Sequence, residues 1–522
     1  MLKTLRNIVV VSLSTVGSRI LGLARDILIF AGLGIGIWND AFILALTLPN
    51  LFRRLLGEGA LAAAVAPVFS DVLRRSGTIG AFAFLNQVLL RLLLVLSILT
   101  LGGVLLLGFS AHYNLFSGRW LIGAKLSMVL LPYLIFICLA AIISAGLNIL
   151  GRFAAAASVS ILLNISIIST LVIAMWLGKE PSQTVYLLCG GVLFGGFLQL
   201  MAPAIDLARQ GWRPRPTNRA SKEIHELWQL FVPGLMGAAI IHVNTLVSRL
   251  LAYSLDESAV SMLYLSSRLM ELPLGIFTVS VATVFFPLMV SAVSNQDDTV
   301  FANALTQSMR LVVSISFPAG IGLVVLGEPI LYLLFRWGAF STQDVAQTFP
   351  LVVIYGLGLP FYSIATVATR GLHACKDMKS PVRIAGFCLL TNLTSGLVLM
   401  QFFGASGLAF GNVLAAAVQS VALWRVLSRS RSELAEMPLR GSFFKIVCAG
   451  LVMGVFCMLG HSIVLSFDLA DKLCAAITVC IFVPTGVVLY FGTLYLLKFE
   501  ELDMLKDRVQ QFISKRKGLE QS

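Results

Sequence analysis

The chain has 522 residues, of which 58% are apolar and 12% are charged. Ordinary soluble domains carry about 25% charged residues, so this composition excludes a soluble globular protein. The 38 Lys and Arg residues against 25 Asp and Glu leave a net charge of +13. In a soluble protein such a surplus suggests binding to nucleic acid. In a membrane protein it commonly reflects the orientation of the chain, because positive loops stay on the cytoplasmic side.

Apolar stretches of about 20 residues recur along the whole chain, and each is long enough to cross a bilayer core of about 30 Å as a helix. Their continuity excludes the alternating polarity of a β-barrel strand. We predict an all-α polytopic membrane protein with fourteen transmembrane helices. The predicted spans are 7–33, 37–56, 81–110, 125–150, 153–178, 184–207, 224–252, 259–293, 308–333, 346–370, 382–402, 406–424, 441–466 and 473–497.

Positive residues concentrate in one set of loops, which favours a single orientation. The opposite loops hold only Arg119, Lys125, Lys179, Arg336 and Lys472. Because positively charged loops stay on the cytoplasmic side, both termini are predicted to be cytoplasmic, and the basic surplus requires no nucleic-acid partner. We expect the basic segments 209–222, 425–445 and 498–522 to contact anionic lipid headgroups.

The eight cysteines lie mostly inside predicted spans, with neither a CxxC pair nor the spacing of a metal site. We expect them to be buried and to pack as small apolar side chains. The stretch from Ile8 to Gly17 runs into Ser18 and Arg19 without a cleavage pattern, so it is predicted to begin the first span rather than a cleaved signal. We expect no metal and no cofactor.

An internal duplication relates spans 3 and 9, because five residues recur at one constant spacing. Arg91, Ser97, Gly103, Gly108 and Phe116 correspond to Arg310, Ser316, Gly322, Gly327 and Phe335. Transporters are commonly built from such repeats, with the substrate site between them; shared membrane composition is the alternative explanation. We predict two pseudo-symmetric six-helix lobes, 1–207 and 208–428, followed by a helix pair and basic tail, 429–522.

Charged side chains inside spans are the informative ones, since each costs about 2.5–3.5 kcal/mol at mid-helix. The first span carries Ser18, Arg19, Arg25 and Asp26, and its two arginines are about 9 Å apart along the helix. The second span begins with Asp40 and ends with Asn50, Arg53 and Arg54. The eighth span carries a stripe of Tyr264, Ser267, Arg268, Glu271 and Gly275.

Two interpretations of these charges remain open. Arginines of both lobes can face one hydrated cavity for an anionic headgroup, because guanidinium stays charged and offers forked donors to phosphate. Alternatively, Arg25 with Asp26 and Arg268 with Glu271 form internal ion pairs that serve structure alone.

Four sequence runs, "SRILGLARD" (18–26), "NDAF" (39–42), "LPNLFRRLLGEGAL" (48–61) and "SSRLMELPLGIF" (266–277), closely resemble the MurJ (MviN) family. These are lipid II flippases of the bacterial cytoplasmic membrane, within the multidrug/oligosaccharidyl-lipid/polysaccharide exporter superfamily. The resemblance covers essentially the whole chain. It implies an alternating-access carrier that moves undecaprenyl-diphosphate-linked disaccharide-pentapeptide to the outer leaflet for peptidoglycan synthesis.

The resemblance also implies site residues. The family's cavity arginines match Arg19, Arg25, Arg268 and Arg53, and further family positions are occupied by Asp26, Asp40, Asn50, Ser18 and Glu58. Spans 13 and 14 correspond to the family's groove for the lipid tail.

Two departures from the family pattern are visible. Ser267 stands where some relatives have an acid. Some relatives also bind sodium through carboxylates on spans 7 and 11, whereas here span 7 offers His242 and Asn244 and span 11 offers Asn392 and Thr394.

Two other functional classes compete with a flippase. A drug/cation antiporter of the same superfamily needs intramembrane acids, but the first and eighth spans are rich in arginine. An enzyme acting on the same lipid would need an acid or metal cluster at a membrane face, and no such motif is present. We expect a monomeric non-enzyme whose partners are lipid II and membrane lipids.

Overall fold

The computed structural model describes residues 2–57, 59–215, 222–255, 257–430, 439–467 and 469–501, and within these ranges it is helical without a strand. The helices are α1 (Leu2–Leu33), α2 (Ile37–Phe52), α3 (Ala60–His112), α4 (Gly118–Leu130), α5 (Tyr133–Ile149), α6 (Ala154–Trp176), α7 (Pro181–Arg209), α8 (Lys222–Leu255), α9 (Ala259–Pro273), α10 (Val279–Ser294), α11 (Asp298–Phe335), α12 (Thr342–Ala374), α13 (Lys379–Ser430), α14 (Leu439–Leu465), α15 (Asp471–Ile477) and α16 (Val483–Leu496). The predicted all-α class is confirmed.

The described ranges contain nine helical stretches that are long and apolar enough to cross a membrane, or ten if the bent pair α4–α5 is one span. A multi-pass membrane protein is therefore confirmed. The count of fourteen spans and the arrangement of two six-helix lobes stay predictions. Two of the stretches, Ile37–His112 and Lys379–Ser430, are far longer than one membrane crossing requires.

α13 is two helical segments that fold back on each other at Gly404. The backbone of Gly404 has φ 55° and ψ −131°, a conformation that glycine adopts without the steric cost of a Cβ. The two segments then run side by side, since a Cβ placed on Gly411 would lie 3.0 Å from the nitrogen of Gly396. The break falls in the gap between the predicted spans 382–402 and 406–424.

Within the described ranges, three short π-helical turns interrupt the helices, at Arg53–Gly57, Leu274–Thr278 and Thr478–Phe482. Such turns are frequent at functional sites. The first begins with Arg53, and the second follows the helix that carries Arg268, so both adjoin predicted site residues.

The chain divides into two compact units by its internal contacts. Unit 1 comprises Met1–Ser261 with Trp337–Ser341, and unit 2 comprises Met262–Arg336 with Thr342–Ser522. In unit 1, the nitrogen of Ala339 donates a 2.7 Å hydrogen bond to the carbonyl oxygen of Ala31, which attaches the short segment to α1. This division follows packing rather than sequence repetition, and the lobe boundaries at 207 and 428 stay a prediction.

Close helix packing within each unit positions the polar residues. In unit 1, α1 packs along α6 and α2 packs against α8. In unit 2, α11 packs along α12 so closely that a Cβ on Gly320 would overlap the carbonyl oxygen of Gly356. Small residues allow such close approach in membrane proteins, where helix association depends on packing and hydrogen bonds.

Candidate functional site

A hydrogen-bonded network centred on Arg25 joins α1 to α6. The Nε and Nη2 atoms of Arg25 donate to Oδ1 of Asp26 at 3.0 and 2.7 Å, and Nη1 donates to Oδ1 of Asn164 at 3.1 Å. Asn164 in turn donates through Nδ2 to the carbonyl oxygen of Ser18 at 3.1 Å. Asn164 of α6 thereby bonds two groups of α1, the guanidinium of Arg25 and the carbonyl oxygen of Ser18.

Burial makes this network costly to break. Asp26 is fully buried and the side chain of Arg25 is 17% exposed. A buried carboxylate needs a charged or hydrogen-bonded partner, and removing one member of a buried pair typically costs about 3–5 kcal/mol. The ion pair between Arg25 and Asp26, one of the two alternatives left open by the sequence, is thus present. It holds the guanidinium in a fixed orientation.

The other arginine of α1 has a different environment. Arg19 is exposed, while Ser18 beside it is half-buried. Since Arg19 and Arg25 are about 9 Å apart along the axis, one helix carries an accessible guanidinium and a preorganised one.

α2 separates its predicted site residues into two groups. Asp40 is buried and accepts hydrogen bonds from the nitrogens of Val260 (3.2 Å) and Ser261 (2.8 Å) and from the hydroxyl of Ser261. It therefore caps the first turn of α9, where a carboxylate is favoured by unpaired N–H groups and the helix dipole. Asn50 near the end of α2 and Arg53 at the start of the π-helical turn that follows are half-buried, about 15 and 20 Å from Asp40 along the helix axis.

The eighth predicted span carries the second arginine pair, in unit 2. Nη1 of Arg268 donates to Oε2 of Glu271 at 3.1 Å, and the side chains are 34% and 49% exposed. The Ser267 hydroxyl donates to the carbonyl oxygen of Tyr264 at 2.9 Å. Arg268 is therefore paired within its own helix, in an exposed setting where such pairs contribute little to stability.

Three further charged groups inside the spans are not among the predicted site residues. Arg249 of α8 donates to the hydroxyl of Thr47, Arg310 of α11 pairs with Glu500 at 2.9 Å and Glu501 at 3.0 Å, and Glu328 is a half-buried acid within α11. All three positions lie inside predicted spans, so the rule that intramembrane charges are expensive could have found them.

Carboxylates outside the spans serve as helix caps. Asp377 accepts hydrogen bonds from the nitrogens of Lys379 (3.0 Å) and Ser380 (2.9 Å) at the start of α13. A hydrogen bond from the Ser380 side chain lowers the pKa of Asp377 most, and the bonds from the two backbone nitrogens lower it further below its ordinary value of 3.8.

Metal-ligand geometry is not found in the part of the chain that the structure describes, since no group of three or more His, Cys, Asp or Glu side chains there could hold an ion. The absence of a sodium site stays a prediction. Glu58 and residues 502–522 lie outside the described residues, as do 216–221 and 431–438 of the two basic loops.

Comparisons with known proteins give a consistent family assignment. The family model described as "Lipid II flippase MurJ" matches residues 29–477. A "Probable lipid II flippase MurJ" of Bdellovibrio bacteriovorus is 30% identical over 513 residues, which is 97% of each chain. Its counterpart in Rhizobium meliloti is 30% identical over 510 residues and 95% of each chain.

Solved structures agree with the sequence relatives. The structure titled "Lipid II flippase MurJ, inward closed conformation" is similar with a TM-score of 0.76 at 27% identity, covering 93% of this chain and 98% of that one. An inward-facing multidrug resistance MATE family transporter of the MOP superfamily is similar with a TM-score of 0.65 at 13% identity, covering 80% of this chain and 96% of that one. The second similarity concerns the fold alone.

Proposed function

Because the chain belongs to the MurJ family of lipid II flippases, we propose that it moves lipid II from the inner to the outer leaflet of the bacterial cytoplasmic membrane. The observation that carries this proposal is the family match over residues 29–477 of a chain rich in membrane-spanning helices. The protein acts as a transporter for peptidoglycan synthesis and catalyses no covalent step.

The substrate's diphosphate is the group that arginines of the site recognise. Arg19, Arg25, Arg53 and Arg268 supply planar, permanently charged donors that match phosphate oxygens. Ser18 and Asn50 add neutral polar groups beside them, and alternating access carries the bound headgroup across. Both termini are cytoplasmic in this proposal, which also retains fourteen spans and a monomer.

The two observed ion pairs would respond differently to a diphosphate. Releasing Arg268 from the exposed Glu271 costs at most about 1 kcal/mol. Releasing Arg25 from Asp26 would take the guanidinium away from a fully buried carboxylate, which is costly. We therefore expect phosphate to displace the Glu271 carboxylate from Arg268, but to displace only the neutral Asn164 oxygen from Nη1 of Arg25.

Asp40 and Asp26 have positioning roles in this proposal. Asp40 fixes the start of α9 to α2 through two backbone N–H groups and a hydroxyl, and Asp26 orients Arg25. Neither carboxylate is expected to contact the diphosphate directly, because like charges repel.

Depletion in cells tests the function directly. When the protein is depleted, lipid II should accumulate and should become inaccessible to an externally added enzyme or antibiotic that recognises its headgroup. Restoring the wild-type chain should restore outer-leaflet access, whereas Arg25→Ala and Arg268→Ala should not. Unchanged outer-leaflet lipid II during depletion would reject the proposal, and protection against cationic dyes would instead favour the antiporter.

The membrane potential is the proposed driving force. Outward movement of an anion is favoured by a negative interior, by about 2.3 kcal/mol per elementary charge per 100 mV. Flipping in energised liposomes should slow sharply when an ionophore collapses the potential. Undiminished flipping under that condition would exclude potential-assisted transport while leaving the flippase function intact.

A further inference from the structure

A cavity of about 470 Å³ lies where the start of α4 meets the end of α8, and none of its residues belongs to the predicted site. Ligand pockets typically measure about 300–1,000 Å³, so the cavity is large enough for a small ligand. In the predicted topology this part of unit 1 is at the outer face, opposite the basic loops. The cavity is lined by Ser117, Gly118, Arg119, Trp120, Leu255 and Glu257.

Hydrogen bonds between its two walls hold the cavity in shape. Nη2 of Arg119 donates to the carbonyl oxygens of Ser254 at 2.8 Å and Leu255 at 3.0 Å, at the end of α8. The last carbonyl groups of a helix have no donor within the helix, and the guanidinium supplies one. The hydroxyl of Tyr253 donates in the other direction, to the carbonyl oxygen of Arg119. A ligand therefore meets walls that are already ordered, which lowers the entropic cost of binding.

An aromatic pair gives the cavity an apolar surface. The rings of Trp120 and Tyr253 meet edge to face, with their centroids 4.9 Å apart at an angle of 84°. Tyr253 is 1% exposed and packs over Gly123, where a Cβ would lie 2.9 Å from the tyrosine oxygen. Trp120 is half-buried and lines the cavity. The indole is thus fixed in place by a buried ring and presents an amphipathic surface beside polar groups.

Polar groups of both kinds surround this surface. The guanidinium of Arg119 has five N–H donors, and within the described residues its hydrogen bonds come from Nη2 alone. Glu257 and Ser117 are exposed where they line the cavity, and they add a carboxylate acceptor and a hydroxyl. The cavity therefore offers donors and acceptors next to an aromatic ring.

This combination matches a sugar better than an ion. The edge of a sugar ring carries hydroxyl groups that both donate and accept hydrogen bonds, and its faces carry C–H groups that pack on an aromatic ring. Glu257 would repel a phosphate and Arg119 would repel a cation, so both charges select against simple ions. We propose that this cavity binds the disaccharide of the lipid II headgroup at the outer face. This inference rests on the proposed function and adds a sugar site to the arginines that recognise the diphosphate.

Binding to the purified full-length chain in lipid nanodiscs tests the assignment, with lipid II and undecaprenyl diphosphate as probes. The second probe has the polyprenyl chain and the diphosphate but no sugar. Trp120→Ala and Glu257→Gln should each weaken lipid II binding about fivefold or more, because each removes contacts to the disaccharide. Their affinity for undecaprenyl diphosphate should equal that of the wild type. Trp176→Ala and Glu180→Gln change exposed residues at the predicted outer face and are matched controls that should bind both probes normally.

A soluble probe identifies the group that is bound. In saturation-transfer NMR, the peptide-free disaccharide of lipid II should give a signal with the wild-type chain that falls severalfold with Trp120→Ala or Glu257→Gln. A disaccharide signal that is the same for the wild type and both variants would contradict the assignment.

The two lipid probes separate this inference from the proposed function. Wild-type affinity for lipid II in Trp120→Ala and Glu257→Gln would overturn the inference, as would equal losses for both probes, which indicate a general distortion. If Trp120→Ala fails to fold, wild-type affinity for lipid II in Glu257→Gln overturns it. Normal lipid II binding by the wild type would leave the proposed function standing in each of these cases, whereas a wild-type chain that binds neither lipid would reject that function.

Discussion

The two arginine pairs of the candidate site use the same chemistry in opposite settings. Arg25 in unit 1 is held by a fully buried carboxylate and by an asparagine from another helix. Arg268 in unit 2 is held by an exposed carboxylate three residues further along its own helix. In the first arrangement a buried carboxylate holds the guanidinium in a fixed orientation, and breaking that pair is costly. In the second, the guanidinium can leave its exposed carboxylate for another anion at little cost.

The largest difference should appear when the acids are removed. Asp26→Ala leaves Arg25 without its buried counter-charge and should destabilise the fold by about 3–5 kcal/mol, whereas Glu271→Ala should cost at most about 1 kcal/mol. Denaturant or thermal unfolding in detergent measures both. Equal losses of stability would show that the two pairs are not energetically distinct.

Replacing Arg268, whose carboxylate partner is exposed, should weaken substrate binding without lowering stability. Arg268→Gln should lower affinity for undecaprenyl diphosphate about tenfold or more, because a charge-assisted hydrogen bond is lost. Its unfolding midpoint should stay near that of the wild type, because the pair is exposed. Unchanged affinity would remove Arg268 from the substrate site.

Loosening the preorganised arginine should have an intermediate effect. Asn164→Ala removes the bonds from Arg25 and to the Ser18 carbonyl oxygen, and should cost about 1–2 kcal/mol of stability. The free energy of binding the diphosphate should change less than the free energy of unfolding does. The reason is that phosphate is expected to take the place of the Asn164 oxygen. A tenfold loss of affinity would contradict that exchange.

Neutralising Glu271 should have a smaller effect on affinity, and in the opposite direction to the loss of Arg268. Glu271→Gln keeps the size of the side chain but removes the charge that competes with phosphate for Arg268. Titration with undecaprenyl diphosphate should show affinity equal to that of the wild type or a few times tighter. Weaker binding would mean that Glu271 supports the substrate rather than competing with it.

The smallest effect is expected at Asp377, an acid outside both pairs. Because its pKa in the folded chain is lowered, its contribution to stability is present above the unfolded-state pKa and is lost as pH falls through the folded value. Asp377→Asn keeps a good cap and should leave the unfolding midpoint at pH 7 almost unchanged. Between pH 5 and pH 3, a range that includes the ordinary pKa of 3.8, the variant should lose slightly less stability than the wild type. An identical pH dependence would show that the ionisation of Asp377 does not contribute to stability.

Local sequence features predict much of this molecule. Hydropathy predicts the helices because a membrane-spanning segment must satisfy its backbone internally, and the gap between spans 11 and 12 coincides with the break at Gly404. The sequence also predicts the ion pairs Arg25–Asp26 and Arg268–Glu271 as one of two possible arrangements, because the members of each pair are neighbours on one helix.

Contacts between helices are what the sequence does not reveal. The bond from Arg25 to Asn164 joins positions on α1 and α6, and the capping of α9 by Asp40 joins α2 to a helix far along the chain. Neither contact follows from periodicity, because periodicity specifies a face of one helix but not the neighbour it meets. Arg249 is different, since its position inside an apolar span marks it from sequence alone.

Flipping of lipid II in proteoliposomes is the most direct test of the central claim, that arginines within the predicted spans recognise the diphosphate of a transported lipid. Wild-type protein should bring lipid II to the opposite leaflet faster than protein-free vesicles do, and Arg19→Gln and Arg268→Gln should each abolish that gain while remaining folded. A wild-type rate equal to that of empty vesicles, or full activity in both variants, would contradict the account.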